Sequence, residues 1–375
     1  MSGIYIHIPF CKQACFYCNF HFSTQLKNID DMVEAICKEI HLRHHYLQDK
    51  TLASIYFGGG TPSLLNNQQI GQIFEAIQQY FTIAKGAEVT LEANPDDLTA
   101  EKLKELKQTP INRLSIGVQS FFDADLKWMN RAHNVNQAET AIALAKEIGF
   151  HNITIDLIYG TPGLSNANWL TNINTALALG VNHVSSYALT VEPKTALASF
   201  IEKGKYAQTN DEQAAEQFDI LVKTLTENGF IHYEISNFGK AGFLAQHNGN
   251  YWKGKHYLGI GPSAHSFNTL SRSWNVANNQ AYIQALQNDN FELTEEILSV
   301  NDQINEYIMT GLRTIWGCDL GFIEQQFGVA HKERILKAAT KFITQDLLTI
   351  QQGILLTTPK GKFLADGIAA DLFLV

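Results

Sequence analysis

Ile4-Tyr5-Ile6-His7-Ile8-Pro9-Phe10-Cys11, continuing to Cys15-Phe16-Tyr17-Cys18, is the stretch on which the reading of this chain turns. A β-branched run that alternates with larger residues predicts a strand over 4–8, and Pro9 ends it. Three cysteines spaced C-x3-C-x2-C then fall in the loop directly after that strand. Three soft thiolates within eight residues suit zinc or an iron–sulfur cluster. Structural zinc normally takes a fourth ligand, often from a second cysteine pair. Neither Cys37 nor Cys318 supplies such a pair, and Cys37 sits in the apolar stripe Val33, Ile36, Ile40, where a packed structural thiol is expected. Three ligands on a four-iron cubane would leave one iron open to a small molecule.

Outward from this loop, further strand-like runs follow at Ser54-Ile55-Tyr56-Phe57, Glu88-Val89-Thr90-Leu91 and residues 113–118, 153–158 and 183–189. Segments of helical period separate them, such as Ile70, Phe74, Ile77 and the face Ala138, Ala141, Ala145, Ile148 that stops at Gly149. Six strand–helix units predict an α/β fold with a parallel sheet. A partial (β/α)6 TIM-like barrel and a doubly wound sheet both fit this periodicity. Turn-prone or polar residues follow most strands: Gly58-Gly59-Gly60, Asn94-Pro95, Gln119-Ser120 and Gly160-Thr161-Pro162-Gly163. In a β/α barrel, chemistry sits in loops at these strand ends. The pattern changes near residue 235, which divides the chain into 1–235 and a smaller C-terminal α+β domain, 236–375. Its end reads strand, Gln351-Gln352-Gly353 turn, strand, then a helix led by Pro359. A winged-helix module and an ordinary helical cap with a hairpin both fit that order.

With 45% hydrophobic and 17% charged residues over 375, the chain can bury a large core. Its net charge of -9 makes it a poor phosphate-gripping nucleic-acid binder. No basic-then-apolar leader opens it. The uncharged stretch 157–191 is broken by Asn, Ser, Gly and Pro, so no transmembrane segment is expected. Five cysteines make no disulfide scaffold, and a reduced cytoplasmic setting follows.

The string from Tyr5 to Cys18 resembles the radical S-adenosylmethionine (SAM) signature. More narrowly, it resembles oxygen-independent coproporphyrinogen III oxidases and their heme-chaperone relatives, the HemW group. The likeness runs in order through Gly58-Gly59-Gly60-Thr61-Pro62-Ser63, Glu92-Ala93-Asn94-Pro95, residues 113–121, Arg131-Ala132-His133, residues 156–162 and 233–238, and His247-Asn248-Gly249-Asn250-Tyr251-Trp252. It implies a radical SAM core over 1–235 and a HemN/HemW-type domain over 236–375. It also implies a [4Fe-4S] cluster on Cys11, Cys15 and Cys18, with SAM chelating the open iron.

On that resemblance, Gly59, Gly60 and Thr61 face the methionyl amine and Arg131 holds the carboxylate. Glu92, Gln119 and Asp156 bond ribose or the amino group, and Tyr5 lies beside the methionyl end. The oxidase pattern carries a fourth cysteine two residues after the third, where this chain has Phe20, and a longer segment ahead of its cysteines. Both departures match the chaperones. The H-N-x-x-Y-W string makes His247 the candidate heme ligand, with Tyr251 and Trp252 on the porphyrin face; a histidine bracing a Gly-rich loop is the plain alternative. The resemblance therefore implies heme delivery to an acceptor such as a respiratory-chain protein, with peripheral membrane contact through acceptors. The alternative is a radical enzyme that decarboxylates a porphyrinogen. His41 and His45 are expected on a solvated helix face, and His265 in a structural role.

Overall fold

The computed structural model describes residues 2–374. Six parallel strands run in sequence order: β1 (Ser2–Ile8), β2 (Thr51–Gly59), β3 (Thr82–Ala93), β4 (Arg113–Gln119), β5 (Asn152–Tyr159) and β6 (His183–Ala188). Helices Ile29–Arg43, Asn67–Gln78, Ala100–Leu106, Val135–Glu147 and Asn166–Ala178 make the crossovers. Neighbouring strands that are also neighbours in sequence, each joined by a helix, curl into a barrel wall rather than a doubly wound sheet. The doubly wound alternative is thereby excluded.

Period-two alternation sorts each strand into two faces. Ile4, Ile6 and Ile8, Leu114, Ile116 and Val118, and Ile153, Ile155 and Leu157 lie within the main hydrophobic core, nearly all without exposed surface. The intervening residues point the other way. Tyr5, Tyr56, Glu92, Arg113, Ser115, Thr154, Asp156, His183 and Ser185 all line cavities in the barrel interior. The helices shield the apolar face, and the interior is left polar.

The helix ends follow their sequence signals. Asn66 and Asn134 form capping boxes with Gln69 and Gln137. Gly149 takes φ +99° directly after the helix Val135–Glu147 and its cap Ile148, a conformation costly for other residues.

The sheet does not stop at six strands. The Gly- and aromatic-rich stretch after residue 230 supplies β7 (Ile231–Glu234), β8 (Asn237–Gly239), β9 (Tyr257–Ile260), β10 (His265–Phe267), β11 (Ser271–Trp274) and β12 (Thr294–Ile297). β9 pairs parallel to β1, while β8 pairs antiparallel to β6, giving twelve strands in the order 12-11-10-9-1-2-3-4-5-6-8-7. β7 and β12 are its two edges, so the barrel stays open. Neither addition was legible from periodicity, since β8 and β10 are three residues each.

A separate core gathers Ile304, Ile308, Leu312, Ile323, Ile335, Leu348 and Leu355. Its order is helix Val300–Leu312, β13 (Cys318–Asp319), helices Leu320–Phe327 and Val329–Thr344, then β14 (Leu348–Gln351) and β15 (Ile354–Thr357). Helix, strand, two helices and a hairpin is winged-helix order, which decides between the two C-terminal alternatives. The helix expected at Pro359 begins only at Ala365, after a 3-10 turn at Lys362–Leu364.

Candidate functional site

At the C-terminal strand ends, a cavity of about 480 Å³ is lined by Cys11, Cys15, Cys18, Gly59, Gly60, Thr61, Glu92, Asn94, Gln119, Arg131 and Asp156, among others. The fold thus brings together all three loop cysteines and seven of the eight expected SAM residues. Tyr5 is the eighth and lies lower. Its ring stacks on Tyr56 at 6.1 Å between centroids. A Cβ built on Gly58 would come within 2.8 Å of Tyr56 and 3.1 Å of both Tyr5 and a Glu92 oxygen, so these side chains would have to shift to admit one.

The cysteine loop is fixed by its neighbours. Gly60 N–H donates to Ile8 O at 2.9 Å and Thr61 N–H to Phe10 O at 2.7 Å, joining the glycine turn to the start of the loop. A Cβ on Gly60 would meet Phe10 O at 2.6 Å. Phe16 and Tyr17, between the cysteines, pack on a small cluster of Met129, Ile158, Leu189 and Leu197. All three thiols are half-buried. Thr61 Oγ1 donates to Cys11 Sγ at 3.4 Å and Arg131 Nη1 to Cys15 Sγ at 3.2 Å. Burial pushes the Cys11 thiol up to about 11 and raises Cys18, with the Thr61 bond pulling Cys11 back. A bound metal centre would override this and hold the sulfurs as thiolates.

Among the described residues, no three His, Cys, Asp or Glu side chains converge to grip one ion. The donor set fits a cluster: three soft sulfurs in one loop, each of two receiving a hydrogen bond from a residue behind it.

Arg131 is the electrostatic hinge of the cavity. Beyond Cys15, its Nη2 donates to Asn94 Oδ1 at 2.7 Å and Gly117 O at 2.8 Å, while Nε is buried without a partner. Glu92 accepts from the Tyr56 hydroxyl at 2.7 Å and from Gly59 N–H at 3.2 Å. Burial nonetheless raises its carboxyl. Burial, and then the Glu92 charge, push Asp156 up to about 7. Gln119 ends β4 at φ +70°, a strained conformation for a non-glycine residue. A polar, glycine-edged cleft with two carboxylates and one arginine can hold a zwitterionic amino-acid moiety and a ribose. The residues present therefore fit SAM as well as the cluster.

Sequence reasoning did not single out Asn94 as a site residue, although its motif was noted, nor the Leu189, Thr190 and Glu192 loop after β6, which also lines the cavity. Their position after a barrel strand was the available signal.

His247 lies at the opposite, N-terminal end of the strands. The helix Gln246–Trp252 closes the barrel floor, and the Glu88 carboxylate accepts the N–H groups of Gln246 and His247, both at 2.9 Å. The His247 ring shares hydrogen bonds with Ser54 Oγ through Nδ1 and with the Tyr251 hydroxyl through Nε2, each 2.8 Å long. The expectation of an imidazole offered to heme iron is not met in this arrangement, because both nitrogens are occupied and the side chain is buried. Tyr251 is tied up with it. Trp252 is half-buried, with the Arg313 guanidinium 5.1 Å above its ring. His41 is exposed on its helix as expected, whereas the helix ends at Arg43 and His45 is exposed in the turn that follows. His265 is exposed too, with its ring stacked on Trp274.

The Radical SAM superfamily model matches residues 5–176, and the HemN C-terminal domain model matches residues 298–364. The heme chaperone HemW of Bacillus subtilis is 34% identical over 372 residues, covering 98% of both chains. The chain belongs to the HemW family. The HemW protein of Lactococcus lactis is likewise 34% identical, again covering 98% of each chain. Among solved structures, the coproporphyrinogen III oxidase HemN of Escherichia coli superposes with a TM-score of 0.86 at 23% identity, covering 99% of this chain and 90% of that one. HemW members and that oxidase thus share one fold, and Phe20 is among the residues lining the cavity here. Among the described residues, no helix is long and apolar enough to cross a membrane.

Proposed function

We propose that the protein is a cytoplasmic heme chaperone that holds a [4Fe-4S] cluster, SAM and heme, and passes heme to acceptors such as respiratory-chain proteins. The observation that carries the reading is full-length similarity to curated heme chaperones, joined to the shared cavity of Cys11, Cys15, Cys18 and Arg131. Labour divides along the chain: residues 1–235 hold cluster and SAM, and 236–375 contribute to heme.

Cys11, Cys15 and Cys18 would hold the cluster as thiolates in the one loop. When bound, the cluster supplies one-electron chemistry. Arg131 takes the SAM carboxylate through its planar fork. The Gly59-Gly60-Thr61 turn allows close approach of the amine, and Glu92, Gln119 and Asp156 bond the ribose or the amine. Tyr5 supports this wall from below through Gly58 and Glu92. Heme docks near residues 247–252, beside the half-buried Trp252, whose ring is covered by the Arg313 guanidinium paired to Asp366.

Anaerobic turnover with reductant, SAM and coproporphyrinogen III tests the reading against an oxidase. No protoporphyrinogen is expected; its steady formation would reject the chaperone and establish oxidative decarboxylation.

A further inference from the structure

The span between the first two cysteines, Lys12-Gln13-Ala14, carries no cluster ligand, yet its side chains reach far across the chain. Lys12 Nζ donates to Asp96 Oδ2 at 2.9 Å and also contacts Asp97. Lys12 keeps 41% of its side-chain exposure, but Asp96 and Asp97 keep only 12% and 5%. Two adjacent, nearly buried carboxylates need a cation, and among the described residues Lys12 pairs with both. Gln13 Nε2 donates to Asn130 O at 2.9 Å and Oδ1 at 2.8 Å, and Asn130 Nδ2 donates back to Ala14 O at 2.7 Å.

These contacts close a ring. Asp97 accepts from Ser63 Oγ at 2.6 Å, and Ser63 Oγ accepts the Asn94 N–H at 3.3 Å. Asn94 accepts from Arg131, and Arg131 donates to Cys15. The turn from Asn94 to Asp97 therefore holds both ends of the span: Lys12 directly, and Cys15 through Arg131.

We propose that Lys12 is a positioning residue for the cluster, pinning the 11–15 span onto Asp96 and Asp97 so that the sulfurs of Cys11 and Cys15 stand preset for iron. It acts through the loop and does not touch the cluster. Because Asn94 belongs to the same turn, Lys12 also steadies the arginine assigned to the SAM carboxylate. A loop without this clasp would sample other conformations and release iron more readily. The inference rests on the cluster reading above and is independent of heme.

The test compares parent, Lys12→Met, Lys12→Arg and Asp97→Asn proteins after anaerobic reconstitution. It follows iron loss to an excess of chelator and the EPR spectrum of the reduced cluster with and without SAM. Lys12→Met and Asp97→Asn should each lose iron about fivefold faster than the parent, the scale of one partly exposed ion pair. They should also show a smaller SAM-induced change in the spectrum. Lys12→Arg keeps the charge and should restore parental behaviour. Iron loss at the parental rate in both disrupted variants, with unaltered spectra, would overturn the proposal, even if their melting temperatures fell. Asp97→Asn keeps the lysine and serves where Lys12→Met fails to fold. A parent that takes up no iron would overturn the cluster reading and this proposal together. A parent that takes it up, with Lys12→Met indistinguishable, overturns the clasp alone.

Discussion

The Arg131 guanidinium lies 3.2 Å from the Cys15 sulfur, so the residue assigned to the SAM carboxylate also touches a cluster ligand. Its remaining contacts, Asn94 and the Gly117 carbonyl, fix the fork from the other side. Arg131→Lys keeps a positive charge but loses the planar two-pronged geometry. SAM affinity should fall about tenfold or more, the scale of one charge-assisted bond. A SAM titration followed through the reduced cluster's EPR signal measures it. Parental affinity would remove Arg131 from the SAM site.

Replacing Cys11, Cys15 or Cys18 with Ala should abolish the cluster, since each would supply one of three protein ligands. Cys37 is different: it packs half-buried beside the core, and its Sγ donates to Gln72 O at 3.6 Å. Cys37→Ala should keep the full iron content and the visible absorption after reconstitution. Loss of iron from Cys37→Ala but not from Cys15→Ala would show the ligands are misassigned.

Asp156 gives a pH signature. Its folded pKa, about 7, lies above the ordinary 3.8, so burying the charged form costs stability above pH 7. As pH falls through 7 toward 3.8 the folded protein takes up the proton and the cost disappears. Asp156→Asn is neutral at every pH. In the absence of SAM, it should melt higher than the parent at about pH 8, with the gap narrowing as pH falls below about 7 and closing only near the unfolded value of 3.8. A gap that does not vary with pH would mean the carboxyl is not shifted.

His247→Ala should strand Ser54 and Tyr251 in the barrel floor and lower stability by about 1–3 kcal/mol. The Soret band of heme-loaded protein should stay in place. Thermal melts and a heme-loaded spectrum read both. A moved Soret band with an unchanged melt would restore His247 as the iron ligand.

Much of this arrangement was legible in the sequence because it rests on short-range rules. The β1 run and its cysteines, the glycine turn after β2 and the caps at Asn66 and Asn134 need only neighbours to be read. What escaped depends on pairings between distant residues. β9 joins β1 over more than 250 positions, as Gly3 opposite Tyr257 shows, and strands of three or four residues carry no periodicity of their own. The role of His247 was hidden for the same reason. A histidine in a Gly- and Asn-rich string looks exposed until Ser54 and Glu88, from two other strands, are placed against it. Polar residues inside β3 to β6 could be read as strand-end satisfiers singly, and only the barrel shows them facing one space.

Heme binding by the cluster-loaded protein can be read from an anaerobic heme titration followed through the Soret region. Saturable binding of one heme per chain, with the iron–sulfur absorption intact and the heme passing to an added apo-acceptor, is the expected result. Linear, unsaturable absorbance that matches free heme, in protein that carries its full cluster, would show that the protein is not a heme chaperone.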